Sequence, residues 1–119
     1  MEESYVKGKT ALVTGAAKGL GKAISLKLAD KGVRLALNYK SSGDEAQKVA
    51  GAIKKKGGEA IAIQADVSNV SQVAALVKQI EEEMGTVDIL VNNAGIINDG
   101  LLVRMSDDAW HDVINTNLN

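Results

Sequence analysis

The sequence predicts an α/β fold in three layers, with a parallel sheet in the middle and helices flanking it on both faces. Three observations carry that prediction. A short apolar run followed by an amphipathic stretch recurs three times, and a fourth apolar run follows. The joins between them are short and marked by glycine. The apolar residues are almost all Ala, Val, Ile and Leu, with no Phe and only 3% aromatics, a composition suited to strands buried on both faces. A length of 119 residues, 45% hydrophobic and 24% charged, suits one domain.

The first strand is ALV at 11–13, and the helix after it is marked by Leu20, Ala23, Ile24 and Leu28 and stopped by Gly32. VRLALN from Val33 is the second strand. Ser42, with Glu45 three positions on, has the spacing of a capping box and opens a helix whose face is Ala46, Val49, Ala50 and Ile53, ending at Gly57 and Gly58. AIAI from Ala60 is the third strand. Ser68 opens the next helix, with Val73, Leu76, Val77, Ile80 and Met84 inward before Gly85. DILV from Asp88 is the fourth strand. From Ser106 a fourth helix is expected, because Trp110, Val113 and Ile114 fall at helical spacing, and the 119 residues end within it. Alternating strands and helices with short joins imply right-handed crossovers.

Fourteen basic residues against fifteen acidic ones, a net charge of -1, exclude any global attraction to nucleic acid or membrane. The opening MEESYVKGKT is polar, and no stretch approaches the ~20 apolar residues that span a bilayer, so a cytoplasmic location is expected. The chain contains no cysteine, and its one histidine, His111, reads as exposed helix surface, so no metal site is expected.

The chemistry begins at TGAAKGLG, 14–21, between the first strand and the first helix. Gly15, Gly19 and Gly21 allow a tight turn, a close approach by a phosphate, and close packing of helix on strand. The amides and positive dipole at the helix start would then hold a pyrophosphate. An ordinary strand-to-helix turn is the competing reading of the glycines alone. A nucleoside-triphosphate loop fails on spacing, since Lys22 is followed by Ala23 and no glycine stands five positions before Gly21.

Four motifs in order, TGAAKGLG, ADV at 65–67, VDILVNNAG at 87–95 and WHDVINTNL at 110–118, resemble the short-chain dehydrogenase/reductase family. Within it the chain most resembles the 3-oxoacyl-acyl-carrier-protein reductases, and the resemblance runs over essentially the whole chain. It implies a Rossmann-like half-fold whose four parallel strands lie in the order 3-2-1-4. It also implies that the glycine loop, including Leu20, binds a pyrophosphate, that Asp66 and Val67 meet the adenine, and that the run from Asn92 to Gly95, through Asn93 and Ala94, passes beside the ribose and nicotinamide.

An acidic residue at the end of the second strand would accept hydrogen bonds from the adenine ribose and repel a 2′-phosphate. Asn38 stands there instead, followed by Tyr39, Lys40 and Ser41, and Lys18 adds a cation beside the glycines. The expected cofactor is therefore NADP, with solvated surface charge as the competing reading of the two lysines.

Carbonyl reduction in the family uses a Tyr proton donor, a Lys four residues later that lowers the Tyr pKa, a Ser that polarises the carbonyl and an Asn that positions a water. Of these, only the Asn has a counterpart in the 119 residues, Asn117. Tyr5 and Lys9 share the Tyr-Lys spacing but precede the first strand, at the opposite end of the sheet. Two readings follow: a non-catalytic NADP-binding half-domain, 1–119, truncated within the fourth helix, or part of an active NADPH-dependent reductase. A homodimer is expected through the open edge of the fourth strand and the terminal helix.

Overall fold

The computed structural model describes residues 6–93 and one further strand, Asp112–Asn115. Its elements are β1 (Thr10–Val13), α1 (Gly19–Asp30), β2 (Arg34–Tyr39), α2 (Gly43–Lys55), β3 (Ala60–Gln64), α3 (Val70–Met84), β4 (Ile89–Asn92) and β5 (Asp112–Asn115). The strands form one sheet in the order β3-β2-β1-β4-β5, and every pair is parallel. The expected order 3-2-1-4 is therefore present, extended by one strand.

The pleat explains the three layers. Leu12 pairs with Ala36 on one side and Leu90 on the other, and all three pack with Val73, Leu76, Val77 and Ile80 of α3. Their neighbours Ala11, Val13, Leu35, Leu37, Ile89 and Val91 point the opposite way, onto Val49, Ala50 and Ile53 of α2 and onto Ile24 and Leu28 of α1. Both faces are covered, which is why the central residues of β1, β2 and β4 are apolar in succession instead of alternating with polar ones. At the amino edge, Asp88 Oδ2 accepts from the Thr10 amide at 2.9 Å while the Asp88 amide donates to the Thr10 carbonyl at 2.8 Å, setting the register of β4 on β1.

The structure corrects the sequence reading at four points. Residues 112–115 are a strand, not part of a helix: Leu90 pairs with Val113 and Val91 with Ile114. Adjacent β-branched residues suit a strand as well as an amphipathic helix, and the amides and carbonyls along β4 decide the matter by supplying ladder partners. The rest of the expected helix lies outside the described residues. With β5 in place the outer edge of β4 is not open, which removes edge pairing of the fourth strands as a route to the expected homodimer; the other expected route, through the terminal residues, lies outside the described residues.

The buried face of α1 is also displaced. Leu20 is 53% exposed and Ala23 is exposed, whereas Gly21 and Ser25 are buried. The glycine loop brings the helix so near the sheet that its smallest side chains must face inward, and Ser25 satisfies its hydroxyl on the Gly21 carbonyl at 2.8 Å. The Ser42 capping box is not made, since Ser42 is the N-cap of α2 without a side-chain bond. Finally, α3 is capped by Asn69, whose Oδ1 accepts from the Gln72 amide at 3.1 Å, and Ser68 bonds to Asp66 instead. Among the described residues no helix is long and apolar enough to cross a membrane.

Candidate cofactor site

Parallel strands send all their carboxyl ends to one side, and the order in which strands are added switches sides at β1, outward to β2 and β3 first and then back to β4, which leaves a crevice between the diverging connections. The turns leaving β1, β2, β3 and β4 line one cavity of about 460 Å³, bounded by Gly15, Asn38, Lys40, Ala65, Asp66, Val67, Ser68 and Asn93. Six of these residues, Gly15, Asn38, Lys40, Asp66, Val67 and Asn93, were expected at a cofactor site from the sequence.

The glycine loop is built for close approach. Gly19 has φ +53, a left-handed conformation that side chains rarely adopt, and the space where its Cβ would stand is open. Gly21 is the reverse case: a Cβ there would overlap the Gly15 carbonyl oxygen and stand 2.6 Å from Asn93 Nδ2. One glycine therefore leaves room at the surface of the loop, and the other lets α1 dock on β1. The helix α1 begins at Gly19 itself, after the exposed N-cap Lys18.

A polar lock joins this loop to β4. Thr14 is fully buried, and its Oγ1 accepts from the Asn93 amide at 2.9 Å while lying 3.4 Å from the Val91 carbonyl and 3.3 Å from Asn92 Oδ1. Asn93 Nδ2 donates to the Gly15 carbonyl at 3.1 Å. The motifs of the sequence reading contained both Thr14 and Asn93, but the bond between them and the tie from Asn93 to Gly15 were not foreseen.

The wall formed by β2 and β3 carries the charge. Asp66 Oδ1 accepts from Ser68 Oγ at 2.6 Å and from the Ser68 amide at 3.0 Å, and Lys40 Nζ stands 3.7 Å from Oδ2. The Ser68 hydroxyl, then its amide, and then the Lys40 charge hold the Asp66 carboxyl below its ordinary value. Gln72 Oε1 accepts from the Asp66 amide at 2.7 Å, and Gln64 Nε2 donates to the Lys40 carbonyl at 3.0 Å. These two glutamines were also missed. A second hollow is lined by Lys18, Ser41, Ser42, Gly43, Asp44 and Glu45.

Asn38 behaves differently from its neighbours. It is 2% exposed, its Nδ2 donates to the Ala65 carbonyl at 3.1 Å, and its Oδ1 accepts a long 3.4 Å bond from the Gly15 amide. Tyr39 is half-buried, its ring against Gly43. Asn92 is buried at the end of β4. Leu20 is exposed on the loop; Ala94, Gly95 and Asn117 lie outside the described residues.

The family profile described as short chain dehydrogenase matches residues 9–119. The chain belongs to that family. As a short-chain dehydrogenase it is 50% identical over 110 residues to a 3-oxoacyl-acyl-carrier-protein reductase of Staphylococcus epidermidis, covering 92% of this chain and 45% of the relative. It is 46% identical to the corresponding reductase of a Synechocystis species, with 92% and 44% covered. The chain thus spans less than half the length of these curated relatives. Among solved structures, a Burkholderia cenocepacia short chain dehydrogenase in complex with NADP superposes with TM-score 0.72 at 46% identity, over 76% of this chain and 37% of the other. A blue fluorescent protein from a metagenomic library, in complex with NADPH, gives TM-score 0.81 at 32% identity, over 92% and 56%.

Proposed function

We propose that these residues are the NADP(H)-binding half of a short-chain reductase. The observation that carries the reading is the convergence of the glycine loop, Lys40 and Asp66 on one cavity at the carboxyl edge of the sheet. The residues fit the dinucleotide. Gly19 leaves open space beside the start of α1, where free amides and the helix dipole favour a pyrophosphate. The hydroxyl, amide and ammonium around Asp66 orient its carboxylate toward a base edge. Lys18 and Lys40 are the cations suited to a 2′-phosphate, and no carboxylate ends β2 to repel it. When bound, the nicotinamide of such a cofactor supplies hydride to a carbonyl carbon.

Taken alone, the 119 residues bind the dinucleotide weakly and reduce nothing, because Asn117 is the one residue matching the family's catalytic set and no proton donor accompanies it. The second reading is that they are part of an NADPH-dependent reductase of 3-oxoacyl thioesters, which the 50% identity to the staphylococcal enzyme favours. Titration calorimetry on the 119-residue polypeptide tests the binding. NADPH should bind more tightly than NADH, with a loss on Gly19→Val; equal affinities or an indifferent Gly19→Val would refute NADP selection by this loop. An assay with NADPH and a 3-oxoacyl thioester tests the inactivity, which fails if turnover above the no-protein control survives repurification.

A further inference from the structure

We propose that Asn38 is a positioning residue that fixes the spacing between the glycine turn and the exit of β3, and that ribose discrimination belongs to the residues after it. The inference rests on the cavity being a dinucleotide site. At the end of β2, where an acidic residue would select the ribose, the Asn38 side chain is committed inside the protein. Its Nδ2 is bonded to the Ala65 carbonyl and its Oδ1 to the Gly15 amide, with 2% of the residue exposed. Its own carbonyl accepts from the Ala16 amide at 2.9 Å, so successive amides of the glycine turn end on one residue. Gly15 belongs to the pyrophosphate side of the cavity, and Ala65 leads into Asp66 on the adenine side. A side chain that holds both cannot also reach a ribose hydroxyl without releasing one of them. Tyr39, half-buried against Gly43, and the exposed Lys40 follow, and neither side chain bears that constraint.

An amide here cannot be replaced by a carboxylate at equal cost. A carboxylate could accept from Gly15, but it would face the Ala65 carbonyl with no donor. A neutral carboxyl, having one donor and one acceptor, restores both contacts. The charged groups lining the cavity are Lys40, from the exit of β2, and Asp66, from the exit of β3; β1 and β4 contribute the uncharged Gly15 and Asn93. Because its carboxyl is held below its ordinary value, Asp66 stays ionised over the range tested.

The experiment compares Asn38→Asp, Asn38→Ala and Asn38→Ser with the parent at low temperature, each ratio taken at the same pH so that ionisation of the cofactor cancels. Asn38→Ala should weaken NADPH and NADH by the same factor, on the order of tenfold. Asn38→Asp should show the same equal loss at about pH 8 and recover toward about pH 5.5, where a buried carboxyl takes up its proton. A shift of preference toward NADH in Asn38→Asp at the higher pH would make Asn38 the selector and overturn the proposal, as would unchanged affinities in Asn38→Ala. If Asn38→Asp fails to fold, Asn38→Ala and Asn38→Ser still decide whether the loss is equal for the two cofactors. A second measurement needs no cofactor: hydrogen exchange at the Gly15 amide should quicken on the order of tenfold in Asn38→Ala while α2 is unaffected, and unchanged exchange at Gly15 overturns the proposal. Failure of the parent to bind either cofactor would instead overturn the reading of the site, with the exchange result still deciding the role of Asn38.

Discussion

Asn93 donates its side-chain amide to the Gly15 carbonyl at 3.1 Å, tying the exit of β4 to the first turn of the glycine loop across 78 positions of sequence. The same carbonyl is the atom that a side chain at position 21 would strike. One oxygen is thus held by a neighbouring strand and approached by a helix, and the loop between them has little freedom to relax.

Gly21→Ala should therefore cost both stability and binding. Overpacking at a site closed by backbone on one side and a bonded amide on the other is expected to destabilise by about 1–3 kcal/mol. Urea unfolding measures this, and calorimetry should show cofactor affinity falling with it. An alanine at this position with parental stability would mean that the loop can open without breaking the Asn93 bond.

Lys40→Ala separates charge from fold. The Lys40 side chain is 73% exposed and its ion pair with Asp66 spans 3.7 Å, so the melting temperature should stay essentially unchanged. Affinity for NADPH should drop on the order of tenfold while that for NADH holds. A parallel loss for both cofactors would show that Lys40 acts on something other than a 2′-phosphate.

Ser68→Ala should reveal itself through pH. The Asp66 carboxyl titrates below its ordinary 3.8 in the folded protein, chiefly because of the Ser68 hydroxyl. A lowered folded pKa adds stability that is fully present above the unfolded value and is lost as pH falls through the folded one. The parent should thus melt higher than Ser68→Ala at neutral pH, with the gap closing below about pH 4. Carbon-detected NMR titration of Asp66 checks the direction: its midpoint should rise in the variant.

Proline in β5 tests the new edge. Val113→Pro and Ile114→Pro each remove one amide from a strand paired with Leu90 and Val91. At least one of them should quicken hydrogen exchange in β4 and bring concentration-dependent association in sedimentation, since a bared strand edge seeks another chain. If both leave β4 exchange unchanged, another segment covers that edge.

The first four strands were legible because ALV, VRLALN, AIAI and DILV are mainly apolar runs set off by glycines, and each lies within a residue or two of the observed strand. The inward face of α3 was legible for a related reason, its residues Val73, Leu76, Val77, Ile80 and Met84 repeating at helical spacing with no constraint from a loop. The face of α1 was not, because Gly21 and Ser25 are inward through contact distance and not hydrophobicity. Val113 and Ile114 satisfy both periods at once, and only the presence of β4 beside them chooses the strand. At the site, motif positions marked Gly15, Asp66 and Val67, but the Thr14–Asn93 bond joins residues 79 apart, and no local pattern announces a partner at that distance.

The sheet also works as a partition. The cluster under α3, built on Leu12, Ala36 and Leu90, shares no residue with the cluster under α1 and α2, which adjoins the glycine turn through Val13 and Ala16. Energies of substitutions that share no neighbours tend to add. A lineage could therefore exchange methyl groups at Val73, Leu76 or Ile80 beneath α3, away from Ala65 and Val67 of the same cluster, which line the cavity, while the layer that adjoins the glycine turn kept its geometry, and an engineer seeking a sturdier scaffold would begin at those positions.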